Sequence, residues 1–316
     1  MSARIRFGVT LPQIKRTWDE AKAAALAFDR LGFDSVWVCD HLYGVPMPTL
    51  PILEAWTELT AVGAITERVG LGTLVTPPFF RNPAVLAKQV ATLDHITGGR
   101  AIVGLGAGWF EQEFTGYGCP FPSVRERLEA LEETAVIMKL LWTDEQVTYD
   151  GRHFSVHEAV CEPRPARRPP ILIGGGGEKV LLRLAAKHAD IWNNMAVSQG
   201  ELGHKVEVLR RHCDAVGRDP SEIAISQQCV VVIGATDDEA AAALAKAGKI
   251  YGGHMGAGIE AHGIWGTPAQ VIECIERHVA LGCTHFVIEF FGRDTTIPAE
   301  LFATEVLPAF AERDRA

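Results

Sequence analysis

The sequence predicts one α/β domain, a (β/α)8 TIM barrel over residues 1–316 with insertions near 147–170 and 251–266. Short apolar runs alternate with segments of helical period along the whole chain, which is typical of a parallel sheet covered by helices. Eight such pairs occur, and their even spacing argues against two separate domains. The 316 residues, 47% of them hydrophobic, suit one barrel, which needs about 250 residues. Catalytic residues are then expected at the carboxyl ends of the strands.

The predicted strands share an apolar run bounded by polar or turn residues. They are residues 5–11, 35–40, 70–76, 101–106, 171–174, 190–194, 223–234 and 285–291. An open doubly wound sheet is the alternative architecture, and its dinucleotide fingerprint is Gly-x-Gly-x-x-Gly after a strand. The nearest match begins at Gly104, but Trp109 stands where the third glycine belongs. The barrel is therefore the preferred prediction.

Capping residues locate the starts of three helices. Ser123 precedes a run of apolar residues at helical spacing, and Glu126 completes a capping box with it. The pairs Asn82-Pro83 and Thr267-Pro268 each place a capping side chain before a proline that suits the first helical turn, and Gln270 completes a second capping box. We therefore expect helices to begin directly after Asn82, Ser123 and Thr267.

Two segments exceed a minimal barrel. Residues 147–156 read as a hairpin around Asp150-Gly151, followed by a connector rich in proline and arginine at 162–170. Residues 251–266 contain six glycines, and a loop this long within a compact domain is usually functional or disordered. We predict that 251–266 is a mobile lid over the barrel, and a disordered excursion without function is the alternative.

Composition excludes several classes of protein. The 30 basic and 39 acidic residues give a net charge of −9, opposite to the basic surface of a nucleic-acid-binding protein. No apolar run reaches the roughly 18 residues of a membrane helix, so no membrane partner is expected and the predicted location is cytoplasmic. The seven cysteines include no Cys-x-x-Cys pair, and His153 with His157 has no further ligand pair. Reduced thiols and no metal site are therefore predicted.

A carboxylate and an imidazole follow the second predicted strand. Histidine is the side chain best suited to proton transfer near neutral pH, and an adjacent aspartate can orient it or stabilise its charge. His41 is thus a candidate general acid or base beside Asp40. The alternative is a capping aspartate with a solvated or packed histidine. The third strand ends at Thr76-Pro77-Pro78, where the backbone must turn, either as a ligand shelf or as an ordinary turn.

Four consecutive glycines follow the fifth predicted strand. Gly174, Gly175, Gly176 and Gly177 precede a helix expected at 178–188. Glycines allow a ligand to approach the backbone closely, and a helix N-terminus attracts anions, so this segment is a candidate phosphate cradle. A plain flexible turn is the alternative. The segment lacks the Gly-Lys-Ser/Thr ending of a nucleotide-triphosphate loop, which excludes that mechanism.

Together, eight motifs in order along the chain resemble the luciferase-like flavin and deazaflavin oxidoreductases. They are Val36-Trp37-Val38-Cys39-Asp40-His41, Leu71-Gly72-Thr73-Leu74-Val75-Thr76, Arg81-Asn82-Pro83, Leu93-Asp94, Gly99-Arg100, Gly104-Leu105-Gly106-Ala107-Gly108-Trp109, Pro169-Pro170-Ile171-Leu172-Ile173-Gly174-Gly175 and Ala189-Asp190-Ile191-Trp192-Asn193. Within the family, the chain is most similar to the branch that uses coenzyme F-420, a deazaflavin that carries hydride.

The resemblance implies a set of cofactor contacts. A bulge with a cis peptide at Leu74-Val75, followed by Thr76, supports the central ring of the cofactor. Gly174, Gly175, Gly176 and Gly177 line its phosphate-bearing tail. Asp40 and Asn193 contact the ring or tail, Gly108 allows close approach, and His41 is the catalytic acid or base. The resemblance also implies a homodimer, which we place on the apolar helices at 53–67 and 82–95.

The leading hypothesis is an F-420-dependent oxidoreductase that transfers hydride between the cofactor and a small organic substrate. Two alternatives stay open: an FMN-dependent monooxygenase supplied by a separate flavin reductase, and a non-catalytic flavin-binding protein. One departure bears on the substrate. In the sugar-phosphate dehydrogenase branch an acidic residue directly follows the Gly-x-Gly-x-Gly stretch, whereas Trp109 stands here, with Glu111 and Glu113 further on. A sugar phosphate is therefore a doubtful substrate.

Overall fold

A computed structural model describes residues 4–45, 47–251 and 258–311, and it shows the predicted barrel. Eight parallel strands hydrogen-bond in a closed ring, because the strands at residues 191–194 and 224–233 pair with each other as well as with their other neighbours. In order around the ring they are β1 (Arg6–Thr10), β2 (Ser35–Val38), β3 (Gly70–Thr73), β4 (Ala101–Leu105), β7 (Ile171–Gly174), β8 (Ile191–Asn194), β9 (Ala224–Ile233) and β11 (Cys283–Phe290). All eight coincide with predicted strands.

Helices cover the barrel. They are α1 (Trp18–Leu31), α2 (Ala55–Ile65), α3 (Pro83–Thr97), α4 (Glu111–Gly116), α5 (Val124–Thr143), α6 (Leu181–His188), α7 (Leu202–Val216), α8 (Asp237–Tyr251), α9 (Ile259–His262), α10 (Pro268–Ala280), α11 (Thr296–Glu305) and α12 (Leu307–Ala311). No helix in the described ranges is long and apolar enough to cross a membrane. The seven cysteines are free thiols, as predicted.

The predicted helix starts at Asn82, Ser123 and Thr267 are confirmed. The Asn82 side chain accepts from the amides of the first turn of α3, and Ser123 and Glu126 form both bonds of a capping box at α5. At α10, Gln270 accepts a hydrogen bond of 2.8 Å from the amide of Thr267. These local signals were readable because each involves residues within four positions of one another.

The first predicted insertion is a hairpin of two antiparallel strands, β5 (Val147–Asp150) and β6 (Ser155–Ala159). The hairpin itself is confirmed, but its turn comprises residues 151–154, because Asp150 ends β5 and pairs with Ser155, so the predicted centre at Asp150-Gly151 is displaced. The Glu133 carboxylate, on α5, accepts from the backbone amides of Arg152, His153 and Phe154. The hairpin is thereby anchored to the longest helix.

The prediction of a continuous flexible loop over 251–266 is wrong for its second half. Residues 252–257 lie outside the described residues, and the proposed lid motion stays a prediction. Residues 259–262 form α9, and β10 (Ile264–Gly266) is a strand parallel to the upper half of β9. β9 is ten residues long, so it pairs with β8 at its start and has room for β10 at its end. The glycine content of 251–266 predicts a loop, but the extra length of β9 gives residues 264–266 a strand to pair with.

A tryptophan fills the lower part of the barrel. The Trp37 indole is fully buried and packs with Leu172, Ile191 and Val287. A Cβ on either Gly8 or Gly72, which face it from the neighbouring strands, would overlap the indole. The closed core leaves the carboxyl ends of the strands, called here the barrel mouth, as the place where polar side chains gather.

Candidate active site

His41 lies just beyond β2 at the barrel mouth, and its hydrogen-bond partner is Glu113. Nδ1 of His41 is 2.8 Å from Oε1 of Glu113, whereas the sequence suggested Asp40 as the orienting carboxylate. Adjacent residues on an extended segment point in opposite directions, so Asp40 turns away from the imidazole. The expected pairing of His41 with Asp40 is therefore corrected to His41 with Glu113.

Both oxygens of Glu113 serve the His41 segment. Oε2 accepts from the amides of Leu42 at 2.9 Å and Tyr43 at 3.3 Å, and the Glu113 side chain is 1% exposed. The carboxylate thus fixes the backbone as well as the imidazole. Nε2 of His41 bonds to no other residue in the described part of the chain. A catalytic role of this ring atom stays a prediction.

Glu113 reaches His41 from α4, a helix of six residues. The sequence showed Glu113 only as an acid beyond Trp109, because nothing in the spacing of residues 41 and 113 reveals their contact. The only indication of Glu113 in the sequence is that it follows the glycine-rich end of β4, five residues after Gly108. That signal shows that an acid is near the mouth, but not which base it meets.

Asp40 and Thr76 have protein partners. The fully buried carboxylate of Asp40 accepts two hydrogen bonds from Arg81, at 2.6 and 3.1 Å, and one from the Thr76 hydroxyl at 2.8 Å. Arg81 also pairs with Glu54. Burial raises the pKa of Asp40, and the guanidinium of Arg81 opposes that rise. The pair holds the ends of β2 and β3 together, and a direct contact of Asp40 or Thr76 with a cofactor stays a prediction.

The peptide bond between Leu74 and Val75 is cis, as the family resemblance implies. Val75 lies against three glycines of the neighbouring strand ends. A Cβ on Gly106 would overlap the Val75 side chain, and one on Gly174 would lie 2.9 Å from its Cγ1. Because these glycines leave room for the Val75 side chain, Leu74 and Val75 pack on the apolar core of the barrel. The apolar surface that these two residues form under the mouth is called here the floor.

The glycine segment after β7 forms an open turn. Its helix, α6, begins at Leu181 and not at the predicted residue 178, and Leu182 closes the turn by donating to the Gly177 carbonyl at 3.0 Å. The expectation that a helix N-terminus directly follows the glycines is therefore wrong. Three non-helical residues intervene, so an anion at the glycines would meet backbone amides and nearby side chains and not the N-terminus of α6.

Gly175 and Gly176 differ in whether a side chain would fit in their place. Gly175 has a φ of +130°, and a Cβ there would lie 2.9 Å from Leu181. A Cβ on Gly176 would meet nothing closer than the Ser198 hydroxyl at 3.7 Å and Cε of Lys205 at 3.8 Å. Gly176 therefore borders open space with a hydroxyl and a cation beside it. A phosphate-bearing chain fits such a corner.

Asn193 and Gly108 lie where their strands predict. Asn193, in β8, is buried, and its Oδ1 accepts from the Ser226 hydroxyl at 2.9 Å. Gly108 has a φ of +76°, and a Cβ would lie 2.7 Å from the buried ring of Phe114. The fold itself thus requires glycine at 108. Contact of either residue with a cofactor stays a prediction.

Two further acids, Glu289 in β11 and Glu58 in α2, were not predicted from the sequence. Glu289, in β11, accepts from the Tyr251 hydroxyl at 2.7 Å, and burial raises its pKa. Gln13 joins Cys39 to Glu58, because its amide bonds to the Cys39 backbone and to Glu58 Oε2. Burial raises the pKa of Glu58 to about 7, and its Oε1 has no partner in the described residues.

The strand order places these groups around the mouth. His41 follows β2, the floor of Leu74 and Val75 follows β3, and the glycine cradle follows β7, three strands from β2. A long cofactor can therefore extend from the cradle across the floor and present its ring near His41. No three His, Cys, Asp or Glu side chains in the described ranges could hold a metal ion.

Comparison with protein families gives a match over residues 1–256 to the model described as luciferase-like monooxygenase. Among curated proteins, an F420-dependent glucose-6-phosphate dehydrogenase of Intrasporangium calvum is 30% identical over 308 residues, covering 89% of this chain and 91% of that protein. An F420-dependent hydroxymycolic acid dehydrogenase of Mycobacterium tuberculosis is 32% identical over 240 residues, covering 74% of this chain and 64% of that protein.

Among solved structures, an F420-dependent secondary alcohol dehydrogenase in complex with an F420-acetone adduct superposes with a TM-score of 0.83. It is 25% identical and covers 97% of this chain and 99% of that chain. The similarity thus extends over the whole barrel, including the part of the chain that follows residue 256.

Proposed function

Because this chain belongs to the luciferase-like monooxygenase family and is an oxidoreductase, we propose that it depends on coenzyme F-420 and acts on a small organic substrate. The proposed reaction transfers a hydride between the deazaflavin and the substrate. The observation that carries the proposal is the position of His41, whose Nδ1 is bound by Glu113 while Nε2 stays available at the mouth. Relatives of this chain that use the same cofactor support it.

The described residues fit the cofactor at both of its ends. The open corner at Gly176, beside Ser198 and Lys205, accepts a phosphate-bearing tail, and Leu74 with Val75 gives a flat ring an apolar support. Lys205 is the cation nearest that corner, and a bound phosphate would compete for its Nζ with the carboxylates of Glu178 and Glu201. When bound, the deazaflavin supplies a two-electron carrier that takes a hydride from an alcohol carbon or returns one to a carbonyl carbon.

The protein's part in the chemistry is to move the proton. When an alcohol is oxidised, its carbon loses a hydride and its oxygen loses a proton, so a base must stand at the oxygen. Nε2 of His41 takes that proton, and the Glu113 carboxylate stabilises the imidazolium through Nδ1. In the reverse direction the same imidazolium returns the proton to the carbonyl oxygen. Arg81 and Asp40 hold the end of β2, which carries His41, against the segment that follows β3.

Anaerobic binding titrations test the cofactor assignment. We expect coenzyme F-420 to bind with a micromolar or lower dissociation constant, with FMN binding at least tenfold more weakly. Tight binding of reduced FMN together with oxygen consumption would instead support the monooxygenase alternative. Cofactor binding without turnover across a broad panel of alcohols and carbonyl compounds would support the non-catalytic alternative. Mass spectrometry of the co-purified cofactor provides an independent measurement.

A further inference from the structure

Two aromatic side chains flank His41 and have no role in the proton transfer described above. The ring centroid of Trp109 lies 5.8 Å from that of His41, and the two rings are nearly perpendicular at 83°. Phe110 lies 6.5 Å from His41 and stacks on Trp109 at 5.3 Å. Although Trp109 contacts these rings, it is 55% exposed. A large apolar face is therefore open to solvent beside the proton-transfer group.

The fold holds Trp109 in this place. Gly108 adopts a left-handed backbone conformation directly before it, and Phe114 is fully buried beneath Gly108. Glu113, on the same short helix, is bound to the His41 segment through three hydrogen bonds. The segment 108–114 thus delivers the carboxylate and the aromatic pair together. The contacts of Gly108 with Phe114 and of Glu113 with the His41 segment therefore fix the position of the indole.

An exposed tryptophan in a polar rim is a feature of binding sites, because its large face gains free energy when a ligand covers it. The indole offers one N–H donor and no acceptor, so it can bond to at most one oxygen of a substrate and cannot accept from a hydroxyl group. A substrate whose oxygen meets Nε2 of His41 places the group attached to its reacting carbon against this face. Trp109 therefore favours a substrate with an apolar group on its reacting carbon.

We propose that Trp109 and Phe110 form the wall of a substrate subsite beside His41 and select alcohols or carbonyl compounds that carry an alkyl or aryl group on the reacting carbon. This inference rests on the proposed function, since it assigns the substrate class of that same site. It separates this chain from the glucose-6-phosphate dehydrogenases among its relatives.

Ligand-observed NMR titrations with cyclohexanol and glycerol test the wall, using the protein loaded with coenzyme F-420. We expect cyclohexanol to bind the wild type more tightly than glycerol. Trp109→Ala should weaken cyclohexanol binding about tenfold, the effect of losing roughly 1 to 2 kcal/mol of apolar contact. Glycerol and cofactor affinities should stay within twofold. Trp109→Phe should retain most of the cyclohexanol affinity, because it keeps an aromatic face.

Tyr117→Ala is the matched control, since Tyr117 is an equally exposed aromatic residue that packs on Tyr43 and not on His41. It should leave the preference unchanged. The inference is overturned if the wild type shows no preference for cyclohexanol, or if Trp109→Ala keeps that preference. Failure of coenzyme F-420 to bind the wild type contradicts the proposed function instead. The same titrations on the cofactor-free protein then still decide whether the wall binds cyclohexanol.

Discussion

Oε1 of Glu113 lies 2.8 Å from Nδ1 of His41, although 72 residues separate the two along the chain. His41 follows the second barrel strand, and Glu113 belongs to the short helix after the fourth. The contact gives the imidazole a fixed orientation and a negative partner for the charge it acquires.

His41→Ala should lower turnover by about a hundred- to ten-thousand-fold, which is the usual contribution of general acid–base catalysis. Cofactor affinity should change by no more than a few-fold, because the imidazole is not needed to hold the tail. Steady-state kinetics and a cofactor titration measure the two effects. Added imidazole should restore part of the lost rate. Full turnover in this variant would show that the imidazole is only structural.

Glu113→Gln should reduce kcat by about tenfold or more, and by less than His41→Ala, because the imidazolium loses its charged partner while the ring remains. KM should stay within a few-fold. Glu111→Gln is the control, since Glu111 lies on the same helix and is exposed. Equal rates for the two variants would mean that the 2.8 Å contact has no part in turnover.

Gly176→Val should weaken binding of coenzyme F-420 about tenfold or more while leaving the thermal unfolding temperature nearly unchanged. The new side chain meets no protein atom closely at Cβ, but it extends into the corner beside Lys205 and Ser198. Gly248→Ala, on the surface of α8 with nothing within 4 Å, is the control. Gly175→Val is a poorer test, because φ and the contact with Leu181 would destabilise the fold as well. Unchanged affinity in Gly176→Val would place the tail elsewhere.

Glu58→Gln should stabilise the protein at pH 8 and have little effect at pH 5. Burial raises the pKa of Glu58 from 4.5 to about 7, so the folded state holds its proton more tightly than the unfolded chain does. That stabilisation is complete below pH 4.5 and is lost as the pH rises through 7. At about 1.4 kcal/mol per pH unit, the variant should gain up to about 3 kcal/mol at pH 8.

Urea unfolding at the two pH values measures the effect of Glu58→Gln. Glu67→Gln provides the comparison, because Glu67 is exposed just beyond the same helix. It should change the free energy of unfolding by less than about 0.5 kcal/mol at either pH. A stability difference for Glu58→Gln that does not vary with pH would show that folding leaves the pKa of Glu58 unchanged.

A homodimer through α2 and α3 remains a prediction. The two helices pack side by side, and Val85 on α3 is 55% exposed. We expect the wild type to sediment as a dimer at micromolar concentration and Val85→Glu to shift it to monomer, since a charge in an apolar interface is costly. Leu26→Glu, on the exposed face of α1, should leave the dimer intact. A monomeric wild type would contradict the prediction.

Some features were readable from the sequence because they depend on near neighbours. The eight apolar runs mark the strands, and Ser123 with Glu126 marks the start of α5, since capping joins residues three apart. The ordered motifs indicated the family, and the cis peptide at Leu74-Val75 agrees with it. They also placed His41 and Gly174 at strand ends, and hence at the barrel mouth.

Tertiary structure decided which of these residues meet. Ring closure brings α4 over the end of β2, so Glu113 and not Asp40 binds His41, and Asp40 is occupied by Arg81. The same closure sets Trp109 against the imidazole and lets β10 join the long β9. Helical periodicity and capping arise from contacts between residues three or four positions apart. Side-chain pairing at the mouth arises from the arrangement of all eight strands, which no local pattern encodes.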